Sequence, residues 1–410
     1  MSAVQGPATA EAAAGLIAPR PAPARRAVAL SWRSPRLRGW VYQLVALVVI
    51  VGALALLATT TLANMRARGI QSGFDFLAQT AGFDIGEPWL GYESTDAYWK
   101  AFAVGVVNTL RVAVTGIVLC TLIGVALGIG RFSRNALVRG FCYGYVELFR
   151  NIPVLLQLLV WYLALTEFLP APTEPVVFAH AFFLSKNGFV FPTPVWAAGH
   201  GLAVAIMLAG VAAAIAYAVL ARRHFERTGQ PWPVTLGVAG LVVGFFALGV
   251  TLGGSPIELA LPALGEVQVE GGTAWTPEFL AVLLGLVFYT SAFVAEVVRA
   301  GIASVPAGQV EASSSLGLSR LRAMRLVVLP QAMRLIVPPL TNQYLNLTKN
   351  SSLAVAVGYP DVVSIANTAI NQSGRAVECI AIIMAVYLTT SLLTSALMAW
   401  VNRRAALKER

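Results

Sequence analysis

Apolar residues run along this chain in unbroken blocks, and polar residues collect between them. Eight blocks reach the roughly 20 residues that a bilayer core demands; they lie near 41–63, 102–130, 142–169, 196–221, 233–254, 277–300, 328–353 and 377–401. Each is expected to be a membrane helix, because lipid offers backbone N–H and C=O groups no partner and a helix satisfies them internally. In the seventh block Pro338–Pro339 and the polar run "NQYLNLTKNSS" interrupt the pattern. The connecting segments 64–101 and 170–195 carry Trp89, Trp99, Pro192 and Pro194, and are expected to hold short interfacial structure without a separate domain. Residues 1–40 are rich in Ala, Pro and Arg and read as a disordered tail.

Charge fixes an orientation. With the N-terminus inside, the inner segments hold 20 Lys and Arg residues and the outer ones 5. Positive residues stay on the cytoplasmic side of a membrane, so both termini are expected there. The Arg-rich, acid-poor tail has the character of a transit peptide, but the same charge bias accounts for it.

Composition agrees with a polytopic membrane protein. Of 410 residues, 57% are hydrophobic and 12% charged, and mean hydropathy is +0.72; a soluble domain carries about 25% charged residues. The formal charge of +10 does not point to nucleic acid, since the basic residues sit in short clusters between apolar runs. Cys120, Cys142 and Cys379 lie in or beside those runs without ligand or disulfide spacing. His180, His200 and His224 are scattered, so neither a metal site nor a catalytic cluster is expected.

One cytoplasmic segment is longer than a simple connection: "VPAGQVEASSSLGLSRLRAMRLVVLPQ", Val305 to Gln331. Pro306 suits a first helical turn, where a missing N–H costs nothing. A short helix is expected from about Ala307 to Leu316, and Gly317 offers the left-handed conformation that ends helices. Ser319 is a fair N-cap for a second helix that leads to Pro330 and into the membrane. The product is a helix–turn–helix beneath the bilayer.

Here the residues carry a resemblance. Glu311-Ala312-Ser313, then Gly317, then Val327-x-Leu329-Pro330 resembles the "EAA–G–I-LP" signature of permease subunits in bacterial ABC importers, with Ser313 in place of an Ala and Val327 in place of an Ile. "VELFRNIPVLLQLLVWY" (Val146–Tyr162), "FYTSAFVAEVVRAGIASVPAGQVEA" (Phe288–Ala312) and "PQAMRLIVPPLTNQYLNLTKNSSLA" (Pro330–Ala354) are similar to the polar amino-acid branch of that family. The match covers about 102–169 and 277–401. The additional span and loop at 41–101, and an insertion at 170–276 with two more spans, resemble the enlarged permease of general L-amino-acid uptake systems.

The resemblance implies an all-α integral membrane protein of about eight transmembrane helices. Five of them form a type I ABC importer permease core, in two parts at 102–169 and 277–401, followed by a tail at 402–410. Within the second part, a coupling loop at 302–326 would seat on an ATPase, with Gly308, Gln309, Glu311, Ala312 and Gly317 as the coupling residues. ATP and Mg would be held by that partner, and this chain shows no G-x-x-x-x-G-K-[S/T] phosphate loop. The expected partners are an ATPase dimer, a second permease subunit in a hetero-dimer, a periplasmic solute-binding protein and the lipid of a bacterial inner membrane. An ion-coupled secondary amino-acid transporter is the alternative, though the internal repeat typical of such proteins is absent.

Ionisable residues inside spans are costly and point to function by default. Arg111, Glu147, Arg150, Glu296, Arg299 and Lys349 qualify. Several lie near cytoplasmic ends, where they can pair or snorkel. Asn342, Asn346, Lys349 and Asn350 recur at helical spacing on one face, which suits a zwitterionic solute or, equally, hydrogen bonds between helices. Glu147, Gln157 and Glu296 complete the candidate solute path, with Asn108 and Thr109 as less specific polar positions. Lys349 needs a partner: the solute carboxylate, or Glu147 or Glu296 from a neighbouring helix.

Overall fold

The computed structural model describes residues 35–67, 69, 72–87, 90–195, 199–253, 259–265 and 267–405. It separates into two units, residues 1–71 and 72–410. In the first unit, helix α1 (Pro35–Ala67) is apolar around its whole circumference, the pattern of a membrane span, and almost all its side chains are exposed. The tail expected over 1–40 lies outside the described residues up to 34; from Pro35 the chain is already helical.

The second unit begins its helices with α2 (Tyr98–Gly130). The third apolar block, expected as one span over 142–169, is instead two helices, α3 (Ala136–Asn151) and α4 (Val154–Glu167), which meet at 106°. Pro153 makes the corner. It disfavours helical geometry in the residue before it, and Ile152 is extended, with φ −96° and ψ 126°. Gln157 then bridges the break: its amide donates to the Phe149 and Ile152 carbonyls, each at 2.9 Å. Helices α5 (His200–Thr228) and α6 (Val234–Leu252) pair as an antiparallel hairpin, with Gly210 under Phe245 and Gly237 under Tyr217.

Helix α7 (Pro277–Ala303) leads to two short helices, α8 (Ala307–Ser315) and α9 (Arg320–Ala323). A π-helical turn, Met324–Val328, joins α9 to α10 (Leu329–Asn350). Pro330 accounts for the turn. It has no N–H for the carbonyl four residues back, and the preceding Leu329 N–H reaches five residues to Met324 O. Pro338 and Pro339, expected to interrupt the span, lie inside a continuous helix. The helical geometry changes only after Asn350, where a 3-10 stretch (Ser351–Val357) takes over before α11 (Val362–Ser373) and α12 (Ala376–Ala405).

The insertion also contains strands that the sequence reading lacked. β1 (Val176–Phe178), β2 (Phe182–Ser185), β3 (Gly188–Phe191) and β8 (Thr273–Trp275) make an antiparallel sheet in that order. Two small pairs accompany it: β4 (Thr193–Pro194) with β5 (Leu259–Ala260), and β6 (Ala263–Leu264) with β7 (Val269–Glu270). The strands are too short to display alternation, and β8 lies beyond the α5–α6 hairpin. These small sheets sit between membrane helices and leave the spanning architecture all-α.

Helix α7 is the centre of the second unit. Fifteen of its 27 residues are buried, packed by α2, α4 and α10. Glycines permit this approach. A Cβ on Gly124 of α2 would lie 2.5 Å from Val294 Cγ1 and 2.9 Å from Ser291 O, and one on Gly128 would lie 2.8 Å from Ala295 O. Gly285 takes Leu158 of α4 in the same way, and Gly301 takes Ile336 of α10.

Gly124→Ala is therefore expected to overpack the α2–α7 contact and cost about 1–3 kcal/mol. A Cβ at Gly240 of α6 meets nothing within 4 Å, so Gly240→Ala should be neutral or slightly stabilising. Thermal melts of the two variants in lipid nanodiscs check the contrast; equal melting temperatures would remove the glycine contact as a constraint.

Candidate functional site

Polar and charged residues gather at three places along α7: at its first turn, at mid-helix and beyond its last turn. The far end carries the helix–turn–helix. Pro306 is the residue before α8 rather than part of its first turn, with φ −56° and ψ 136°, and its carbonyl accepts from Gln309 N–H. The helix ends in a Schellman motif: Gly317 N–H bonds Ser314 O, Leu318 N–H bonds Ser313 O, and Gly317 holds φ +74°. Ser319 takes the extended geometry of an N-cap, although its side chain makes no capping bond. Ser313 is buried, which is what a small residue at that place in the signature allows, while Gly308, Gln309, Glu311 and Ala312 are exposed. Two large apolar side chains flank the turn in the open, Leu316 at 81% and Leu321 at 80% exposure.

Close by, Glu296 is held by two arginines. Its carboxylate bonds Arg131 at 2.5 Å and Arg299 at 2.5 Å. That pairing accounts for an ionisable residue in the span and separates Glu296 from Lys349. Glu147 is exposed on α3 and makes no side-chain ion pair among the described residues. Gln157 is buried at the α3–α4 corner, where it serves the backbone.

At mid-helix, α7 and α10 enclose a pocket of about 290 Å3, lined by Tyr289, Thr290, Phe293, Gln343, Asn346 and Asn350. The Tyr289 and Phe293 rings lie 4.9 Å apart. Helical spacing brings Asn346 and Asn350 together here, as expected, but adds Gln343 in place of Asn342. Asn342 and Lys349 lie outside the lining, both exposed. Among the described residues Lys349 has no carboxylate in ion-pair contact. The α7 side of the pocket was not anticipated; Tyr289 and Phe293, four apart on an apolar helix, read from sequence as packing.

The first turn of α7 is packed against a second charged group. Arg111 of α2 forms an ion pair with Glu87, and both side chains are largely buried. The guanidinium lies 3.8 Å from the centre of the Phe279 ring, a cation–π contact. Glu87 also accepts from Thr276 N–H at 3.2 Å. Asn108 donates to Pro360 O at 3.0 Å, and Thr109 Oγ1 accepts from Val362 N–H at 3.2 Å, so α2 carries the start of α11. Arg111 stood out in the sequence as a charge in a span; Glu87, in a loop of mixed polar residues, did not.

Asp361 caps α11. It is fully buried, accepting from Ser364 N–H at 2.8 Å and from the Tyr387 hydroxyl at 3.4 Å. Burial pushes its carboxyl up to about 7, against the hydrogen bonds that favour the charged form.

A family model described as the inner membrane component of binding-protein-dependent transport systems matches residues 233–407. The general L-amino acid transport system permease protein AapQ of Rhizobium johnstonii is 44% identical, over 92% of this chain and 94% of its own. The putative amino-acid ABC transporter permease protein YhdX of Escherichia coli is 44% identical, over 93% and 97%. The glutamate/glutamine/aspartate/asparagine transport system permease protein BztB of Rhodobacter capsulatus is 35% identical, over 92% and 95%. The chain belongs to the permease family of amino-acid ABC importers. Because these alignments run nearly end to end, the enlarged layout is shared with those permeases. The permease is a multi-pass membrane component, with the helix–turn–helix signature in its C-terminal half.

Asp361 gives this permease a pH dependence. An unfolded aspartate titrates near 4, below the folded value of about 7. Between those values the folded chain keeps a proton that the unfolded chain has lost, so stability falls as pH rises and levels off above about 7. Asp361→Asn keeps a capping side chain and should remove about one proton from that slope. Melting temperatures of both proteins from pH 4 to 8 check it; an unchanged slope in the variant would clear Asp361.

Proposed function

We propose that the polar pocket between α7 and α10 holds an L-amino acid on its way through the bilayer. The observation that carries this reading is the chemistry of the lining. Three amides supply donors for a carboxylate and acceptors for an ammonium, and the Tyr289 and Phe293 faces suit a cation. Lys349 stands one residue from Asn350, and a lysine in a span needs a charge partner or water. A solute carboxylate would serve. The relatives AapQ and BztB, both named for amino acids, support the solute class.

The charge bias along the chain supports cytoplasmic termini in a bacterial inner membrane. In that orientation the 72–97 loop, the four-stranded sheet and α11 face the periplasm and a solute-binding protein. α8 then faces the cytoplasm, where Gly308, Gln309, Glu311 and Ala312 meet a groove on an ATPase subunit. That partner binds ATP and Mg; two ATPases closing would rock the permease between outward- and inward-open forms. A second, different permease subunit covers the exposed side of α10. The bare leucines beside Gly317 favour this ATP-driven reading over ion coupling, since an ion-coupled carrier needs no apolar docking knob in the cytoplasm.

Two experiments test the reading. Lys349→Met should abolish uptake while the complex stays assembled with its basal ATPase; normal transport by that assembled variant takes Lys349 off the path. At the lever, a Cβ on Gly317 meets nothing within 4 Å, so only the backbone resists substitution. Gly317→Val should strain the corner by a kcal/mol or more, lowering uptake and uncoupling solute-stimulated ATP hydrolysis. Gly317→Asn, which tolerates the left-handed region, should keep most activity. Normal coupling in the Val variant would rule out a lever that depends on this corner.

A further inference from the structure

The insertion and the first turn of α7 together enclose a cleft of about 520 Å3, well separated in sequence from the mid-helix pocket. We propose that this cleft is a second amino-acid site, a vestibule that receives the zwitterion before it enters the bilayer. It rests on the reading of this permease as an L-amino-acid importer.

Two opposite charges line it. Lys186 comes from the two-residue turn between β2 and β3, and Glu278 from the first turn of α7. Both are half-buried, and neither makes an ion pair with the other or with any described residue. Charges of both signs, unpaired among the described residues, across one cleft are what a zwitterion's two ends require. The volume falls in the range of small-molecule sites. Val190 and Ala274 form an apolar wall, and Asn187 and Gln268 add amides.

The cleft is held in shape. Lys186 N–H donates to Pro170 O at 3.0 Å, and buried Ser185 Oγ accepts from Asn187 N–H at 3.3 Å, so the turn is fixed at both residues. β8 is paired to β3 and runs directly into Thr276, the N-cap of α7. The insertion is thus joined to the core helix next to Glu278. Thr276 and Glu278 also line a second cleft of about 350 Å3, whose other wall includes Glu87 and Pro360. From Glu278 to Tyr289 along α7 is 11 residues, or about 16 Å at 1.5 Å per residue. One helix therefore connects the vestibule with the mid-helix pocket.

The test uses the intact transporter in nanodiscs, without its binding protein, and saturation-transfer NMR with L-glutamine as probe. N-acetyl-L-glutamine, which lacks the ammonium, and L-glutamine methyl ester, which lacks the carboxylate, are the comparison ligands. The intact transporter should prefer glutamine to both by about tenfold, the value of one good polar interaction. Lys186→Met should lose the preference over the ester, and Glu278→Gln the preference over the acetylated form, while Lys186→Arg and Glu278→Asp restore them. Unchanged preferences in both neutral variants would overturn the vestibule. So would weakened docking of the binding protein with ligand preferences intact, since the cleft would then be a protein contact. Uptake by the unmodified complex separates the two readings: charge-selective binding without L-amino-acid uptake would overturn the import reading and leave the site standing.

Discussion

The burial of α7 is the constraint that the second unit is built on. A helix surrounded by α2, α4 and α10 must let three neighbours approach at once, and lipid supplies no hydrophobic drive for them to do so. Close packing has to supply the attraction instead. Gly124, Gly128, Gly285 and Gly301 remove the side chains that would hold the helices apart, and the carbonyls of Ser291 and Ala295 come within contact of α2. The buried face of α7 still holds two small polar residues, Thr290 and Ser291, the latter bonded to the Tyr145 hydroxyl at 2.8 Å. The rest of its polar chemistry lies near its ends and on the side facing Gln343, Asn346 and Asn350.

The charges follow from the same constraint. A buried helix bundle accepts ions only where partners can reach them, and both ends of α7 show it. Arg111 enters α2 thirteen residues from its start, yet Glu87 folds over from the 72–97 loop to meet it, and Phe279 covers the guanidinium. At the opposite end Glu296 lies between Arg131 of the α2 terminus and Arg299 of its own helix. Each cluster ties α2 to the α7 region by an ion pair. A relative movement of the two helices would have to break or exchange these contacts, which makes the pairs natural stops for a two-state element. Lys349 is different in kind: α10 carries it on an exposed face without such a partner among the described residues.

Much of this was legible from residues alone, and the exceptions share a cause. Membrane spans announce themselves by length, and the helix–turn–helix by Pro306 and Gly317, because each depends on a few adjacent residues. The corner between α3 and α4 was missed although Pro153 was in plain view, since apolar composition continues across it and Gln157 hides the broken hydrogen bonds. Pro338 and Pro339 erred in the opposite direction, since a helix packed among neighbours tolerates proline and α10 runs on through both. The sheet closed by β8, the Glu87–Arg111 pair and the α7 wall of the pocket all join residues distant in the chain. No local pattern encodes such pairings. The amides of α10 were found by spacing, but a rotation of one position decided that Gln343, and not Asn342, faces α7.

Helix α7 joins several parts of the second unit. Its first turn receives Glu87 and the sheet of the insertion; its middle lines the pocket; after its end, with three residues between, α8 begins. A connection that short leaves α8 little freedom to move without α7. The Schellman bonds at Gly317 then return the chain into α9 and α10, so the two helices that form the pocket are the same two that flank this helix–turn–helix. On the ATP-driven reading proposed above, a push on α8 would reach both walls of the pocket through these short connections. α7 is itself close-packed on α2 and α4, so on that reading the push would be carried into the bundle. Close packing among the spans and a short exposed α8 next to them are the two features that such a mechanism would use.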